Sequence, residues 1–321
     1  MSDAQLAPVL SVVVPVCNEI EVLAEFHRRL TEVLRSCGVT HEVLYINDGS
    51  TDGSLAWMQA ACGQDANVAL LDLSRNFGKE IAMAAGFDHA RGEAVIVIDA
   101  DLQDPPELIP QLLALWRAGY DNVYAHRRLR EGETWLKKIS AAWFYRLIRK
   151  LAQVEIPLDS GDYRLLSRRA VEALRALREQ HRFTKGLFAW IGFPSIAVPY
   201  DREPRMAGQA KFNYWTLWNF ALEGITSFSI APLRLATYFG LLVALLAFVA
   251  MGFLIAKTLL YGDPVKGYPS LMCVILFLGG IQLTALGMLG EYIGRMFNET
   301  KGRPLYFIKQ YLPSRTARGC E

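Results

Sequence analysis

Apolar runs and amphipathic segments alternate over the first 130 residues of the chain. Short, mostly β-branched runs that end in polar loops are typical of buried parallel strands, and the segments between them carry apolar residues at helical spacing. The pattern predicts strands at 10–16, 42–47, 68–73, 94–98 and 122–125, and helices at 20–36, 53–62, 79–90 and 107–118. This alternation favours an α/β fold with a mostly parallel sheet that is covered on both faces.

Polar residues concentrate where the predicted strands end. The first strand ends at PVCNE (15–19), the second at NDGSTD (47–52), and the third leads to SRNFGK (74–79). Because the carboxyl ends of parallel strands lie at one edge of a sheet, where ligands of open α/β proteins bind, we expect these loops to converge on one ligand. Each loop taken alone is also consistent with ordinary turn chemistry.

The fourth predicted strand ends in the run DADLQD (99–104). Side chains two residues apart in an extended chain point the same way, so Asp99, Asp101 and Gln103 present oxygen atoms to one side. Oxygen ligands suit Mg²⁺ or Mn²⁺, which bind through one or two carboxylates together with substrate phosphates. The alternative is a strand that stops at a solvated acidic turn. Asp104 precedes Pro105 and is interpreted as a helix N-cap rather than a ligand.

Two segments without charged residues follow, at 235–256 and 267–290. Each exceeds the about 18 residues that mark a candidate transmembrane helix, so the sequence predicts two transmembrane helices, with buried core helices as the alternative. Lys and Arg residues flank the outer ends of this pair. By the positive-inside rule we expect a multi-pass protein of the inner (plasma) membrane, with the N-terminal domain and both termini cytoplasmic.

Two aromatic-rich segments, 134–153 and 214–230, are predicted to be amphipathic helices at the membrane interface. Packing of the first segment on the sheet is an equally good interpretation. Two polar clusters lie between them, DSGDYR (159–164) and the cationic loop REPRMAGQAK (202–211). The cations of that loop suit an anionic headgroup or a diphosphate, and a solvated charged loop is the alternative.

Composition excludes several classes of protein. The net charge of +2 gives no general attraction to nucleic acid. The five cysteines contain no C-x-x-C pair, and the five histidines are scattered without the spacing of metal ligands. We therefore expect free thiols in a reducing cytoplasm. No G-x-G-x-x-G motif follows the first strand, which disfavours a dinucleotide-binding domain.

Seven motifs occur in one order along the chain: PVCNE, NDGSTDGS, RNFGKEIAMAAG, DADLQDPPE, DSGDYRLLSRRAV, GLFAWIGF and REPRMAGQAKF. Together they resemble the GT-A fold glycosyltransferases of family 2, and more narrowly the polyprenyl-phosphate glycosyltransferases related to dolichol-phosphate mannose synthase. The resemblance implies a cytoplasmic GT-A (Rossmann-like) domain at 1–211, an interfacial helix segment at 212–231, a two-helix transmembrane domain at 232–296 and a cytoplasmic tail at 297–321.

The resemblance also implies roles for individual residues. Those implied to bind the nucleotide sugar are Pro15, Glu19, Asp48, Lys79, Asp99 and Asp101. A Mg²⁺ or Mn²⁺ ion would lie on Asp101, Gln103 and Asp99. Arg127, Arg205 and Lys211 match cations that contact the lipid phosphate or the diphosphate, and Asp159 and Asp162 fall on the motif with the family's proposed catalytic aspartate. Two positions depart from the pattern: Cys17 stands where an aromatic residue is usual, and Lys185 stands where Arg is expected.

The implied activity is an inverting, metal-dependent transfer of a hexose, in the first place glucose from UDP-glucose, to undecaprenyl (polyprenyl) phosphate. The alternatives are the same reaction with GDP-mannose, UDP-galactose or an amino sugar donor, or a non-catalytic subunit for lipid-sugar transport. No Q-x-x-R-W motif is present, which disfavours a processive polysaccharide synthase. Small residues such as Gly279 and Gly287 permit helix packing in a homo-oligomer.

Overall fold

The computed structural model describes residues 8–127, 160–180, 182–201, 231–261 and 267–315. Within these ranges eight strands form one sheet in the order β7-β5-β6-β4-β1-β2-β3-β8. The strands are β1 Leu10–Val16, β2 His41–Asn47, β3 Val68–Leu73, β4 Ala94–Val97, β5 Asn122–Arg127, β6 Ser160–Ser167, β7 Ser195–Tyr200 and β8 Ile308–Leu312. The helices are α1 Ile20–Ser36, α2 Ser54–Gln64, α3 Lys79–His89, α4 Ile109–Arg117, α5 Arg168–Ala176, α6 Thr184–Trp190, α7 Ala231–Tyr261 and α8 Tyr268–Thr300.

The predicted alternation of strands and helices in the first 130 residues is confirmed, with small shifts at element ends. The sheet is mostly parallel at its centre, where β1 pairs in parallel with β2 and β4, and β2 with β3. Strands β6 and β8 run antiparallel to their neighbours, so the sheet as a whole is mixed. The α/β fold class is therefore confirmed.

Alternate residues of the central strands are buried on opposite faces of the sheet. Val12 packs in one core cluster with Phe26 and Leu30 of α1, whereas Val13 packs in a second cluster with Phe87 of α3. Burial on both faces explains why these strands read as continuous apolar runs. It also fixes the positions of their carboxyl ends, and hence of the loops that follow them.

Strand β6 decides which residues meet at that edge. It lies between β4 and β5 and runs antiparallel to both, with Val97 opposite Arg164 and His126 opposite Ser160. The first residues of β6 therefore lie where β4 and β5 end. This arrangement brings Asp162 to the acidic loop that follows β4.

Strand β8 covers the opposite edge of the sheet by pairing antiparallel to β3. The backbone N–H of Ser74 donates to the Phe307 carbonyl at 2.9 Å, and that of Arg315 donates to the Ala66 carbonyl at 2.8 Å. This strand lies within the predicted C-terminal tail, 297–321, where the sequence pattern indicates no strand. Four of the five strand residues are exposed, so the strand carries little hydrophobic signal.

Helices α7 and α8 cover the two uncharged runs and pack against each other. In the part of the chain that the structure describes, no helix is both long and apolar enough to cross a membrane. The prediction of two transmembrane helices is therefore not supported. Helix α8 in particular ends in a polar stretch that contains Glu291, Arg295 and Glu299. The predicted interfacial segments 134–153 and 214–230 lie outside the described residues.

Candidate functional site

Lys79 joins two of the predicted site carboxylates. Its Nζ lies 2.7 Å from Asp99 Oδ2 and 2.6 Å from Asp162 Oδ2. Lys79 is the first residue of α3, Asp99 follows β4, and Asp162 lies in β6. Desolvation by neighbouring groups opposes the charge of the ammonium, but Asp162 and Asp99 outweigh it and raise the pKa of Lys79. The three side chains, which we call the Lys79 cluster, form a stable cation–carboxylate group at the sheet edge.

Asp162 is held in its ionised form. Burial opposes ionisation, but the charges of Lys79, Lys185 and Arg164 and the hydrogen bond from Lys79 hold the pKa of Asp162 well below its usual range. Its side chain is 13% exposed. The second oxygen, Oδ1, is buried and has no hydrogen-bond partner among the described residues. This oxygen therefore has an unused capacity to accept a hydrogen bond.

Asp99 and Asp101, which form a D-x-D motif, lie in a tight loop after β4. Asp101 is 8% exposed, and its Oδ1 accepts the backbone N–H of Gln103 at 3.1 Å. Leu102 between them has φ 59°, a left-handed conformation that non-glycine residues seldom adopt. The expectation of an extended chain from Asp99 to Gln103 was therefore wrong, because β4 ends at Val97 and the chain turns at Leu102.

A divalent cation is compatible with this loop. Among the described residues, no group of three or more His, Cys, Asp or Glu side chains is arranged to hold a metal ion. Mg²⁺, however, usually needs only one or two protein carboxylates and completes its coordination with substrate phosphates and water. Asp99, Asp101 and the amide oxygen of Gln103 are oxygen ligands of that kind. Metal binding at this loop stays a prediction.

Asp48 supports the neighbouring loop. Its two carboxylate oxygens accept the backbone N–H groups of Phe77 at 2.7 Å and Gly78 at 3.0 Å. Burial raises the pKa of Asp48, and these hydrogen bonds together with Arg75 oppose that effect. The structure thus shows Asp48 holding the loop that leads into Lys79. The nucleoside contact implied for Asp48 stays a prediction.

Gly49 lets the second and third loops come together. It has φ +66°, and a Cβ atom at this position would lie only 2.8 Å from the carbonyl carbon of Arg75 and would collide with the Asn76 backbone. Glycine is therefore required here both for its backbone conformation and for its lack of a side chain.

The first loop is tied to the second. Asn18 has φ 57°, and its Oδ1 accepts the N–H of Thr51 at 2.8 Å. The N–H of Glu19 donates to Ser54 Oγ at 3.1 Å. Pro15 lies in β1, one residue before the end of that strand. The loops after β1 and β2 are therefore adjacent, as expected for parallel neighbours.

Arg127 is positioned by residues that sequence reasoning missed. Its Nε donates to Tyr200 Oη at 3.4 Å, and the Tyr200 hydroxyl donates to Asp104 Oδ1. Desolvation opposes the charge of Arg127, but Tyr200, Asp104 and Asp99 outweigh it and raise the pKa of Arg127. The interpretation of Asp104 as a helix cap was wrong, because the helical turn begins at Pro106 with Pro105 at the cap position. Tyr200 was not predicted as a site residue because the strand that contains it, β7, was not predicted.

Glu80, like Tyr200, is a residue near the site that the sequence motifs alone do not indicate. Its Oε2 accepts the backbone N–H of Thr184 at 3.2 Å. Burial and the charge of Asp162 raise the pKa of Glu80 to about 7, against the opposing effects of Thr184 and Lys79.

Three predicted site residues, Asp159, Arg205 and Lys211, lie outside the described residues.

The cluster of cations, carboxylates and a D-x-D loop lies within the region that matches a known family. The profile of Glycosyl transferase family 2 matches residues 11–175. An uncharacterized glycosyltransferase of Synechocystis is 51% identical over 309 residues, covering 95% of this chain and 97% of the relative. The chain belongs to glycosyl transferase family 2. A second profile, the GtrB C-terminal hairpin, matches residues 231–296, which include α7 and most of α8.

Other relatives carry more specific names. The SfII prophage-derived bactoprenol glucosyl transferase of Shigella flexneri is 48% identical and covers 94% of this chain and 97% of its own length. The prophage bactoprenol glucosyl transferase homolog of Escherichia coli K12 is also 48% identical, over 94% of this chain and 98% of its own length. The resemblance inferred from the motifs is thus confirmed at the level of the family and its C-terminal hairpin.

More remote similarity is found among solved structures. The glucosyl-3-phosphoglycerate synthase of Mycobacterium tuberculosis, in complex with Mn²⁺, UDP-glucose and phosphoglyceric acid, has a TM-score of 0.48 and 17% identity, covering 68% of this chain and 78% of that one.

Proposed function

We propose that this protein transfers glucose from UDP-glucose to a polyprenyl phosphate. The proposal is carried by the Lys79 cluster beside the D-x-D loop, at the edge where β4, β5 and β6 meet. Relatives with 48% identity over 94% of the chain bear the name bactoprenol glucosyl transferase, which supports both the sugar and the lipid acceptor. The choice of glucose over other sugars rests on those names.

The reaction is a displacement at the anomeric carbon. An oxygen of the acceptor phosphate forms a bond to that carbon while the bond to the diphosphate breaks, so UDP leaves and the configuration inverts. A divalent cation on Asp99, Asp101 and Gln103 would act as a Lewis acid for the negative charge on the leaving group. Lys79, in contact with Asp99, adds positive charge on the same side.

Asp162 has an orienting role in this scheme. A phosphate monoester has a second pKa of about 6, so the acceptor is largely dianionic at neutral pH and is already nucleophilic. Asp162 itself is a poor proton acceptor because its pKa is held so low. Instead, its buried Oδ1 accepts a hydrogen bond from a hydroxyl group of the sugar, or it orients the acceptor.

The acceptor phosphate requires cations of its own. We assign the acceptor phosphate to Arg127, which Tyr200 holds and which lies near enough to Asp99 to be influenced by its charge. We assign Arg205 and Lys211 to the same task from their motif. A guanidinium suits this use because it donates to two phosphate oxygens at once.

The lipid acceptor implies that the protein works at a membrane. Helices α7 and α8 expose large apolar side chains, among them Leu241 (69%), Phe253 (68%) and Leu283 (71%). Apolar surface of this kind marks a contact with lipid or protein. We propose that the hairpin associates with the lipid of the plasma membrane and that the catalytic domain lies at its cytoplasmic face.

Labelled donors test the proposed reaction. Membranes that contain the protein are incubated with undecaprenyl phosphate, Mg²⁺ or Mn²⁺, and labelled UDP-glucose, with GDP-mannose, UDP-galactose and an amino sugar donor in parallel. Label should enter the lipid extract from UDP-glucose, and Asp101→Ala should abolish it without removing the protein from the membrane. Label from another donor alone would change the sugar, and no label from any donor would refute the activity. Nucleotide binding without turnover would favour the non-catalytic alternative.

A further inference from the structure

Glu80 links the donor side of the site to a helix from much later in the chain. It follows Lys79 on α3, and its Oε2 accepts the N–H of Thr184, 104 residues further on, at 3.2 Å. Thr184 is the first residue of α6 and is completely buried. The hydrogen bond therefore fixes the start of α6 relative to α3.

Helix α6 also faces Asp162 and the strand that carries it. Lys185, the second residue of α6, lowers the pKa of Asp162 through its charge. Further along the helix, the guanidinium of Arg164 lies 3.6 Å from the centre of the Phe188 ring. Phe188 meets Phe87 of α3 edge-on, with ring centres 6.3 Å apart. The aromatic contacts hold the middle of α6, and Glu80 holds its beginning, where Lys185 lies.

The surroundings of Glu80 make it a costly residue to keep there. It is partly buried, and the negative charge of Asp162 disfavours its ionised form. Lys79 favours that ionised form, and Glu80 in turn stabilises the charges of Arg182 and Arg164. An apolar side chain would avoid this cost but would leave the buried N–H of Thr184 without an acceptor, which is itself unfavourable.

We propose that Glu80 is a positioning residue for the transfer reaction: it holds the start of α6 so that Lys185 faces Asp162 and binds the acceptor phosphate. This proposal rests on the proposed function and extends it to two residues, Glu80 and Lys185. The positive charge of Lys185 replaces the guanidinium expected at this position. Lysine supplies the positive charge but not the bidentate fork of a guanidinium.

Three substitutions separate the possible roles of Glu80. Glu80→Gln keeps an oxygen acceptor for the Thr184 N–H and loses the charge, Glu80→Asp keeps the charge and shortens the reach, and Glu80→Ala loses both. Glu172→Ala, on α5, is the matched control, because the ion pairs of Glu172 among the described residues are with Arg168 and Arg175 on the protein surface. Hydrogen exchange of the amides in 183–187, equilibrium binding of UDP with Mn²⁺, and the rate of transfer at varied acceptor concentration are measured for each variant.

Glu80→Ala should lower kcat/KM for the acceptor by about tenfold to hundredfold, as expected for loss of a charge-assisted hydrogen bond. Exchange at 183–187 should become faster in this variant, while UDP binding changes by less than about threefold. Compared with Glu80→Ala, Glu80→Gln should keep most of the wild-type protection from exchange and most of the transfer rate. Glu80→Asp should keep less of both, and Glu172→Ala should behave as wild type.

Other outcomes would overturn the proposal. Unchanged exchange in Glu80→Ala would show that Glu80 does not hold α6, and a loss of UDP binding as large as the loss of transfer would place Glu80 on the donor side. Lys185→Met should reproduce the acceptor defect with normal exchange, and a normal acceptor KM in this variant would refute the role of Lys185. If the wild-type protein transfers no sugar, the proposed function fails by itself, because exchange is measured without acceptor and still decides whether Glu80 holds α6.

Discussion

Lys79 is the residue on which most of the site electrostatics depend. It contacts Asp99 and Asp162 from the start of α3 and keeps both carboxylates close together. Without it, the two acids would lie near each other in partly desolvated surroundings with less compensation. Lys79 therefore determines the ionisation of Asp162 as well as the net charge beside Asp99.

Replacing Lys79 should change the pH dependence of transfer. In the wild-type protein the low pKa of Asp162 keeps this residue ionised, so its protonation should cause no loss of rate above about pH 5. Lys79→Met should lower the rate by more than about a hundredfold, because two charge-assisted hydrogen bonds are lost. The residual activity should now fall as the pH decreases through the raised pKa of Asp162. Lys309→Met, an exposed lysine on β8, is the control, and a pH–rate profile of unchanged shape in Lys79→Met would contradict this account.

Glu80 should make stability depend on pH. Its pKa in the folded protein, about 7, is above its ordinary value of 4.5, so its contribution to stability is full below about pH 4.5 and is lost as the pH rises through 7. As the pH is raised from 4.5 to 8, the free energy of unfolding of Glu80→Gln should therefore increase relative to that of wild type by up to about 3 kcal/mol. Thermal unfolding at both pH values checks this, with Glu172→Gln as control. A difference in Tm between Glu80→Gln and wild type that is the same at both pH values would be inconsistent with it.

Gly49 and Gly38 allow strain and collision to be separated. Both glycines have left-handed φ values, +66° and +61°, but a Cβ at Gly38 would meet nothing within 4 Å. Gly38→Ala should therefore lose only about 1–2 kcal/mol of stability from the backbone conformation. Gly49→Ala should lose more and should also weaken UDP binding, since the Arg75–Asn76 backbone must move. If Gly49→Ala and Gly38→Ala lose the same stability and the same UDP affinity, Gly49 does not constrain the contact between the loops that follow β2 and β3.

Among the elements, β6 and β8 matter most, because both are antiparallel additions to a parallel sheet. Strand β6 brings Asp162 to the end of β4, and β8 pairs with the edge strand β3. The loop that starts at Ser74 and leads to Lys79 follows β3, and Ser74 is itself bonded to Phe307. The segment after α8 thus supports one of the site loops.

Removal of β8 should destabilise the catalytic domain. A chain that ends at Phe307 leaves the backbone of β3 unpaired, and an exposed strand edge promotes aggregation. Its Tm should fall by at least about 5 °C relative to a chain that ends at Arg315, which keeps β8. Thermal unfolding and light scattering compare the two. Identical Tm values and the absence of aggregation in both would mean that β8 adds nothing to the sheet.

At the scale of the whole molecule, the chain combines a sheet with a polar edge and a hairpin with an apolar surface. A hydrogen bond connects the two parts: the backbone N–H of Gln180 donates to Glu299 Oε1 at 2.8 Å. Gln180 lies shortly before α6, the helix that faces Asp162. The end of α8 is thereby connected to the segment that leads into the site.

The apolar surface of the hairpin should cause binding to lipid vesicles. Burial of one leucine side chain contributes about 1.5–3 kcal/mol, so Leu241→Asp with Leu245→Asp should reduce the fraction of protein that floats with vesicles. Ala60→Asp with Gln64→Asp, on exposed positions of α2, changes the charge by the same amount and should not. Equal flotation of both double variants would exclude these two leucines from the lipid contact.

The sequence by itself determined the strands and helices of the first 130 residues, the position of the candidate site at the ends of the parallel strands, and the family. These features depend on local spacing: β-branched runs, helical periodicity and short motifs are all contained in windows of a few residues. The edge at which PVCNE, NDGSTD and DADLQD meet also follows, because parallel strands that are joined by helices must end on the same side.

Only the tertiary structure decided which side chains meet. Lys79 contacts Asp162, 83 residues away, because β6 runs antiparallel to β4, and nothing in the local sequence of β6 indicates its direction. The same holds for Asp104 with Tyr200, for Glu80 with Thr184, and for the exposed strand β8 on β3. The reason is physical: these contacts depend on strand order and on electrostatic compensation between distant residues, which hydrophobic periodicity does not encode.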